Sequence, residues 1–243
     1  MRRRALLAMF VVLLLIGAYG AYVVSYPKYP KVEGCVNPFK AVKPVTKTPE
    51  NWSKLHVFFK LATSRDFWKL AKPWDVDYSH VKIVKHAVEY NGKKITMLAM
   101  GIPLKDGKHL VALYEFSKPV QGVKVKAYLI EVHEGNLKPK LMSVNGGNVK
   151  ILDECRYECI SNSDCSGYRE FCTEYCCSYD SDAAIDCCIS AGYCGAVCGI
   201  GATVCLIDPI GCLMCSACVV ANCVFCLEES CFEWGTGCEY HGS

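Results

Sequence analysis

Eighteen of the 19 cysteines of this 243-residue chain lie between positions 155 and 238. This density is typical of small exported domains that disulfide bonds hold together, because thiols oxidise outside the cytoplasm. An even number of clustered cysteines permits complete pairing, although spacing does not reveal the connectivity. We therefore predict structural disulfides among Cys155, Cys159, Cys165, Cys172, Cys176, Cys177, Cys187, Cys188, Cys194, Cys198, Cys205, Cys212, Cys215, Cys218, Cys223, Cys226, Cys231 and Cys238.

Charge divides the chain at nearly the same place. Residues 1–150, the front half, carry 25 Lys and Arg against 10 Asp and Glu. Residues 151–243, the back half, carry 2 against 14, so the net charge of +3 hides two opposed parts. Acidity argues against nucleic acid as a partner of the back half, because it repels phosphate. The opposite charges predict instead that the two halves bind each other, in a way that weakens at high salt.

The N-terminus predicts export. Three arginines at positions 2–4 precede an uncharged run, residues 5–26, that is long enough to cross a bilayer as a helix. We interpret residues 1–26 as a signal anchor or a signal peptide, which places the rest of the chain outside the cytoplasmic membrane. Residues 27–47 are rich in Pro and Lys, as in extended linkers, and they contain the remaining cysteine, Cys35.

Residues 48–147 are predicted to form a small helix-plus-β-meander domain. Thr48 as N-cap and Pro49 in the first turn predict a helix start, and Ser64 predicts a second, short helix. From about residue 81 the apolar residues alternate with polar ones, and turn signals such as Asn91-Gly92 separate the runs. We predict antiparallel strands at residues 81–90, 94–102, 108–116, 122–133 and 137–144.

The front half shows no catalytic pattern. Its histidines lack metal-ligand spacing, and neither a glycine-rich phosphate loop nor a nucleophile motif occurs. We therefore predict that the protein is not an enzyme and needs no cofactor. Lysines on the strands are interpreted as a basic face for an acidic partner, with solvated strand edges that oppose aggregation as the alternative. The predicted basic face comprises Lys82, Lys85, Lys93, Lys94, Lys124 and Lys126.

Residues 148–243 are predicted to be a disulfide-rich, mainly α domain. Only Asp208 is charged between Ile189 and Leu227, and the cysteines of residues 187–205 and 212–226 each share one helical face. Two short helices joined by a turn at Asp208 would form a disulfide-stapled hairpin near residues 187–227. Its apolar surface suits a compact core or insertion into a membrane. The residues assigned to this membrane-active surface are Ile200, Val204, Leu206, Ile207, Ile210, Leu213, Val219 and Val220.

Metal binding is the alternative for the same cysteines. Cys212, Cys215, Cys218 and Cys223 approach a ferredoxin pattern, but four residues precede the last cysteine where three are usual, and no proline follows it. Two pairs, Cys212 with Cys215 and Cys223 with Cys226, have the spacing of zinc ligands. Export and the even number of clustered cysteines favour disulfides.

The segment from Tyr193 to Cys212, YCGAVCGIGATVCLIDPIGC, resembles the cysteine-rich microhalocins, archaeal bacteriocins of the halocin C-eight type. The layout is similar as well: an export signal, an N-terminal protein and an acidic C-terminal peptide. The resemblance implies that the precursor is cut and that the released peptide kills related cells. It also implies that the N-terminal part stays with the producer as an immunity protein that binds the peptide. The resemblance covers only the C-terminal part, where some cysteine spacings differ.

Together these features predict an α+β protein with an N-terminal membrane helix, a helix-plus-β-meander domain and a mainly α cysteine-rich domain. We predict an exported bacteriocin-like precursor whose C-terminal peptide acts on target membranes without catalysis, while the basic domain serves as immunity or holding domain. Two alternatives remain open. One is an uncleaved, membrane-anchored surface protein with a binding or structural role, and the other is a membrane-tethered iron–sulfur or zinc redox module.

Overall fold

A computed structural model describes most of the chain, namely residues 35, 37–133, 136–152, 155–167, 169–190 and 209–240. The strands in these ranges are β1 (Lys43–Pro49), β2 (Lys82–Tyr90), β3 (Lys93–Pro103), β4 (His109–Val120), β5 (Val123–His133), β6 (Asn136–Val144), β7 (Lys150–Ile151), β8 (Glu170–Tyr179) and β9 (Cys231–Tyr240). The α-helices are α1 (Lys54–Ala62), α2 (Arg65–Leu70), α3 (Ser181–Ser190), α4 (Pro209–Asn222) and α5 (Val224–Glu229). Short 3₁₀ helices span Pro73–Asp75 and Asn162–Asp164.

The strands of the described ranges belong to one antiparallel sheet in the order β1-β2-β3-β4-β5-β6-β8-β9, with β7 paired to β6. β1 to β6 form a meander, in which each strand pairs with the next. Asn91-Gly92 and Gln121-Gly122 have positive φ angles at both residues, as two-residue hairpin loops require. The five predicted strands of the meander and the Asn91-Gly92 turn are thus confirmed.

One face of the sheet is covered by the two helices of the front half. Val57 and Leu61 of α1 and Phe67 of α2 are buried in one cluster with Ile102 and Leu113 of the sheet. Each helix begins at a serine whose hydroxyl accepts a backbone N–H of the first turn, which satisfies one of its unpaired donors. α2 begins where the sequence predicted it.

The opposite face of the sheet carries the helices of the back half. Met97 of β3 and Leu110 of β4 are buried in a second cluster together with Val219 and Val220 of α4. Because both faces are covered, β3 and β4 contain runs of consecutive buried residues, Ala99–Pro103 and Leu110–Tyr114, which are unusual for an antiparallel sheet. The sheet is therefore the middle layer between two groups of helices.

The predicted α+β class with a mainly α C-terminal domain is wrong. The described structure is mostly antiparallel β-sheet, and the back half contributes two ten-residue strands, β8 and β9, that pair along their length. Leu137 of β6 pairs with Tyr179 of β8, so the sheet continues from the front half into the back half. Cys172, Cys176 and Cys177, which the prediction placed in a mainly α domain, are buried residues of strand β8.

Three further predictions concern the N-terminal part of the chain. No helix in the described ranges is long and apolar enough to cross a membrane, and the predicted membrane segment, residues 1–26, lies outside those ranges. Residues 43–47 of the predicted linker belong to β1. The helix predicted to start at Thr48 begins instead at Lys54, because Pro49 ends an edge strand, where its missing N–H costs no sheet hydrogen bond.

The glycine-rich stretch after β6, where the predicted domain boundary lies, begins with a tight turn held by α2. Asn145 and Gly146 both have positive φ angles. The Gly146 N–H donates to the Asp66 carboxylate at 2.7 Å, and the Lys69 ammonium donates to the Gly146 carbonyl at 2.7 Å. The described residues on both sides of this turn belong to one compact unit.

Candidate functional site

The two halves approach each other closely where α4 crosses the sheet. Gly101 of β3 faces the backbone of Ala217 in α4, and a Cβ atom added to Gly101 would lie 2.0 Å from the Ala217 carbonyl oxygen. No side chain larger than hydrogen fits this gap, so glycine is required for the helix to dock. Ala217 itself is fully buried. The small residues at this crossing let an uncharged helix lie directly on the strands.

Side chains of the front half also bind the C-terminal end of α4. The last carbonyl groups of a helix have no partner within the helix. His86 Nε2 lies 2.8 Å from the Ala221 carbonyl oxygen, and the Tyr114 hydroxyl donates to the Val220 carbonyl at 3.1 Å. The Lys47 ammonium donates to the Asn222 carbonyl at 3.3 Å and brings positive charge to the negative end of the helix dipole. β1, β2 and β4 thus cap a helix more than 100 residues away.

Burial keeps His86 neutral at this position. Desolvation lowers its pKa from 6.5 to about 4, although the hydrogen bond to the Ala221 carbonyl acts in the opposite direction. A neutral imidazole that donates to a carbonyl carries its proton on the nitrogen concerned, here Nε2. The Phe225 ring of α5 lies edge-on to His86 at 5.8 Å between centroids.

A second set of contacts joins the segment before β1 to the acidic back half. The Lys40 ammonium lies 2.5 Å from the Glu174 carboxylate and 3.9 Å from that of Glu228. It also lies 4.1 Å from the centre of the Trp234 ring, within the range of a cation–π contact. The Asn37 amide donates to Glu228 at 3.1 Å. Residues interpreted as linker therefore bind β8, α5 and β9.

Lys126 of β5 is buried beneath these contacts among acidic groups of the back half. Desolvation lowers its pKa to about 8, against the attraction of Glu239, Glu228 and Glu174. Burial raises the pKa of Glu228 and of Glu239 to about 7, and nearby lysines limit the rise. The Lys126 ammonium also donates to the Glu174 carbonyl at 3.4 Å. This cluster changes its protonation near neutral pH.

Six disulfides of the back half have both partners identified within the described residues, which confirms the cysteine-rich, disulfide-bonded character predicted from the sequence. The pairs are Cys155–Cys177, Cys159–Cys172, Cys165–Cys238, Cys176–Cys231, Cys187–Cys226 and Cys188–Cys223. Four of them tie β8 and β9 to each other or to the loop before β8, and two tie α3 to α5 and its N-cap. Disulfides in this number indicate an exported protein.

The structure describes the remaining predicted cysteines only in part. Cys218 is also disulfide-bonded, and it lies in α4 with Cys212 and Cys215. Cys194, Cys198 and Cys205 lie outside the described ranges. Of the ferredoxin-like set, Cys223 is bonded to Cys188, and a sulfur in a disulfide is not a thiolate ligand.

The predicted membrane-active surface points inward where the structure describes it. Leu213, Val219 and Val220 are buried against the sheet. Ile210 lies in the first turn of α4. Ile200, Val204, Leu206 and Ile207 lie outside the described ranges. The apolar character of this segment thus serves, in part, the packing between the two halves.

Of the predicted basic face, the structure brings Lys126 to the back half. Lys85, Lys93, Lys94 and Lys124 are exposed and Lys82 is half-buried. The lysines that do meet the back half, Lys40, Lys47 and Lys150, were missed, because two of them lie in the predicted linker and one lies beyond the meander. Lys150 pairs with Glu158 at 2.7 Å. Gly101, His86 and Tyr114 carry no local sequence signal for their contacts with α4.

Cys35 has a free thiol close to a disulfide. Its sulfur and those of Cys159 and Cys172 lie within 4.8 Å of one another, and the thiol points to the Ile160 carbonyl at 3.9 Å. A second trio, Cys159, Cys165 and Cys238, is equally close. Each trio contains cysteines that are bonded in disulfides, and a disulfide sulfur is not a thiolate that could bind a metal ion.

We expect the Cys35 thiol to react slowly with iodoacetamide, because burial first, and then the charges of Glu174 and Asp164, raise its pKa to about 11. Since only the thiolate reacts, the rate should rise about tenfold per pH unit up to about pH 10. Mass spectrometry of the unreduced protein measures the alkylated fraction of the peptide that contains Cys35. A synthetic peptide of residues 32–38 is the control and should level off near its lower pKa. A plateau below pH 9 in the folded protein would contradict this environment.

The chain matches no family model, no curated protein and no solved structure. The contacts between the sheet and the back half are therefore the basis on which its function is inferred.

Proposed function

We propose that this protein is an exported precursor in which the front half holds an apolar, disulfide-bonded back half in an inactive state. Once released, the back half acts on target membranes as a bacteriocin-like peptide, and the front half remains as its immunity or holding domain. The observation that carries this proposal is the docking of the uncharged helix α4 onto the sheet, with its C-terminal carbonyls bound by His86, Tyr114 and Lys47.

The composition of α4 explains why the helix needs a protein surface to cover it. Its sequence, PIGCLMCSACVVAN, contains no charged residue. Residues 216–222 are all buried, so the helix has little surface suited to water. Removed from the sheet, such a helix exposes a contiguous apolar surface, which favours insertion into a membrane or aggregation. The front half supplies the cover that keeps this surface out of solvent.

The junction between the halves offers a place for cleavage. Between the Asn145-Gly146 turn and β7, Asn148 and Val149 are exposed and belong to no strand. Exposed segments of this kind are preferred by proteases. The six described disulfides all lie after this segment, so a cut before Cys155 severs no loop that they close.

The test is a full chain with a specific protease site inserted after Asn148, cleaved without reductant and separated in denaturant. The refolded back half should release dye from lipid vesicles and inhibit growth of related cells, whereas the uncut chain should do neither. Adding the front half should suppress both effects. The control is the back half with reduced and alkylated cysteines, which should release less dye and inhibit growth less. No leakage and no growth inhibition across a broad panel would contradict the proposal.

A second candidate function rests on the continuity of the sheet. β8 and β9 extend the sheet of the front half, and both halves share one hydrophobic cluster. These features favour an uncleaved surface protein with a binding or structural role, anchored by residues 1–26. Intact-mass measurement of the natural product decides between the two: a full-length chain favours this candidate, and a released C-terminal fragment favours the precursor.

A further inference from the structure

The front half carries a group of exposed apolar side chains on the helical layer that faces away from α4. We name this group the aromatic ridge, and its members come from α1, α2 and the 3₁₀ helix that follows. Their exposed fractions are 65 % for Leu55, 38 % for Phe58, 57 % for Phe59, 43 % for Trp68 and 56 % for Trp74. Large side chains exposed together, rather than singly, mark a surface that binds something.

Specific contacts order the aromatic side chains of the ridge as two pairs, Phe58 with Phe59 and Trp68 with Trp74. The Phe58 and Phe59 rings are 5.8 Å apart between centroids at the outer side of α1. The Trp68 indole N–H donates to the Ala62 carbonyl at 2.7 Å, which joins α2 to the end of α1. The Trp68 and Trp74 rings meet edge-on at 5.3 Å. Since hydrogen bonds and ring contacts hold these side chains, their exposure is a property of the fold.

Basic residues surround the aromatic ridge. Lys54, Arg65, Lys69 and Lys72 lie on exposed positions of the same helices. The Lys72 ammonium lies 5.7 Å from the centre of the Trp74 ring. The acidic residue of α2, Asp66, is buried, where its carboxylate accepts from Ser143 and from the backbone of Gly146. Asp75, next to Trp74, is exposed, so four basic residues stand against one exposed acidic residue on these helices, and their net charge is positive.

The inner side of this helical layer is already used for packing. Val57, Leu61 and Phe67 are buried against one face of the sheet, whereas α4 and α5 occupy the opposite face. The back half therefore does not cover the aromatic ridge in the described structure. The described residues therefore leave the ridge open to a partner.

We propose that the aromatic ridge docks onto the surface of an anionic lipid bilayer, with its Trp, Phe and Leu side chains entering the interface and the surrounding lysines contacting lipid phosphates. Trp with Lys or Arg beside an apolar stripe is the composition that membrane interfaces select. A bilayer is also the partner predicted for residues 1–26 of the same chain. This inference does not depend on release of the back half, and it applies to the uncut chain.

The direct test uses the full chain reconstituted into vesicles made from brominated lipid. About a third of the lipid is anionic, so that the vesicles imitate an anionic membrane surface. Bromine quenches tryptophan fluorescence only at bilayer depth. We expect bromine to quench the tryptophan fluorescence of the wild-type chain. The double variant Trp68→Phe, Trp74→Phe should lose most of this quenching, whereas Trp234→Phe should keep it. Trp234 serves as control because it lies on β9, in contact with Lys40. Equal quenching in both variants would overturn the proposal.

A matched pair of variants tests the apolar contacts. Leu55→Ser with Phe59→Ser should reduce the quenching of the remaining tryptophans at least twofold. The control is Ile151→Ser with Phe232→Ser, because Ile151 is 66 % and Phe232 56 % exposed, against 65 % and 57 % for the ridge pair. Circular dichroism checks the fold of each variant. Unchanged quenching in the ridge variant would overturn the proposal. It would also be overturned if the wild-type chain formed a dimer in solution that only the ridge variant dissociated, because the ridge would then bind a second copy of the chain.

Discussion

Replacing Lys126 by Met is expected to destabilise the protein at about pH 7.5 and to leave it equally or more stable at about pH 5. At pH 7.5 Glu228 and Glu239, whose pKa values are near 7, are largely ionised, and removal of Lys126 deprives both of a buried cation. Losing this attraction between buried groups should cost about 1–3 kcal/mol. At pH 5 both carboxyl groups are protonated in the folded state, so removal of the desolvation cost of Lys126 is set only against the loss of its contacts with Glu174.

The sign follows from the raised pKa of the two glutamates. Between their unfolded value near 4.5 and their folded value near 7, the folded state binds more protons than the unfolded state. Their contribution to stability is therefore present below pH 4.5 and lost as pH rises through 7. Lys126 limits this loss, so its replacement makes the loss larger. His86 acts oppositely, since its lowered pKa withdraws stability as pH falls from 6.5 through 4.

Urea unfolding of the unreduced protein at both pH values measures the effect, and the difference between variant and wild type cancels the term from His86. Lys124→Met is the control, because Lys124 is exposed two residues away on the same strand. It should change the free energy of unfolding by less than about 0.5 kcal/mol at either pH. An equal loss of stability for Lys126→Met at both pH values would contradict the buried cluster.

Replacing Gly101 by Val is expected to prevent α4 from docking. The added Cβ atom would lie 2.0 Å from the Ala217 carbonyl oxygen and 2.8 Å from the Ala217 Cα atom, both of which are backbone atoms that cannot rotate away. Overpacking of this kind costs about 1–3 kcal/mol where the core can adjust, and more where a helix must move. We expect a lower free energy of unfolding and increased binding of a hydrophobic dye, because α4 and the face of β3 become exposed.

A glycine in open space gives the control. Gly92 has no atom within 4 Å of its Cβ position, although its φ of +70° favours glycine or asparagine. Gly92→Asn should therefore cost at most about 1 kcal/mol and leave dye binding unchanged. If Gly101→Val behaves like Gly92→Asn, then α4 does not lie on β3 as described.

The local part of the fold was predictable from the sequence. The strands of the meander follow from alternation and turn residues that lie within ten positions of one another, and the start of α2 follows from the serine cap at Ser64. The start of α1 was placed too early, because Thr48 and Pro49 fit a helix start as well as an edge strand. Only the pairing of Pro49 with Val84 distinguishes the two.

The rest depends on contacts between distant residues. In β8 three of the six buried positions are held by Cys172, Cys176 and Cys177, and cysteine spacing masked the strand pattern. The apolar character of α4 was evident, but its partner is a glycine 116 positions away. Lys40 binds the back half from a Pro-rich segment whose composition is typical of a linker. No local pattern records these pairings, which arise only when the sheet is assembled.

The central claim is that the sheet of the front half holds the apolar back half through buried contacts. The sequence predicted a hold that weakens at high salt, whereas α4 packs through apolar side chains and hydrogen bonds that salt screens little. Size-exclusion chromatography of the unreduced chain, cut once after Asn148, tests this claim directly. We predict that in aqueous buffer both pieces elute together even at about 1 M salt, where the Debye length is only about 3 Å. They should separate in denaturant, or when lipid vesicles offer the apolar back half a membrane. Elution of a free back half from aqueous buffer alone would contradict the account.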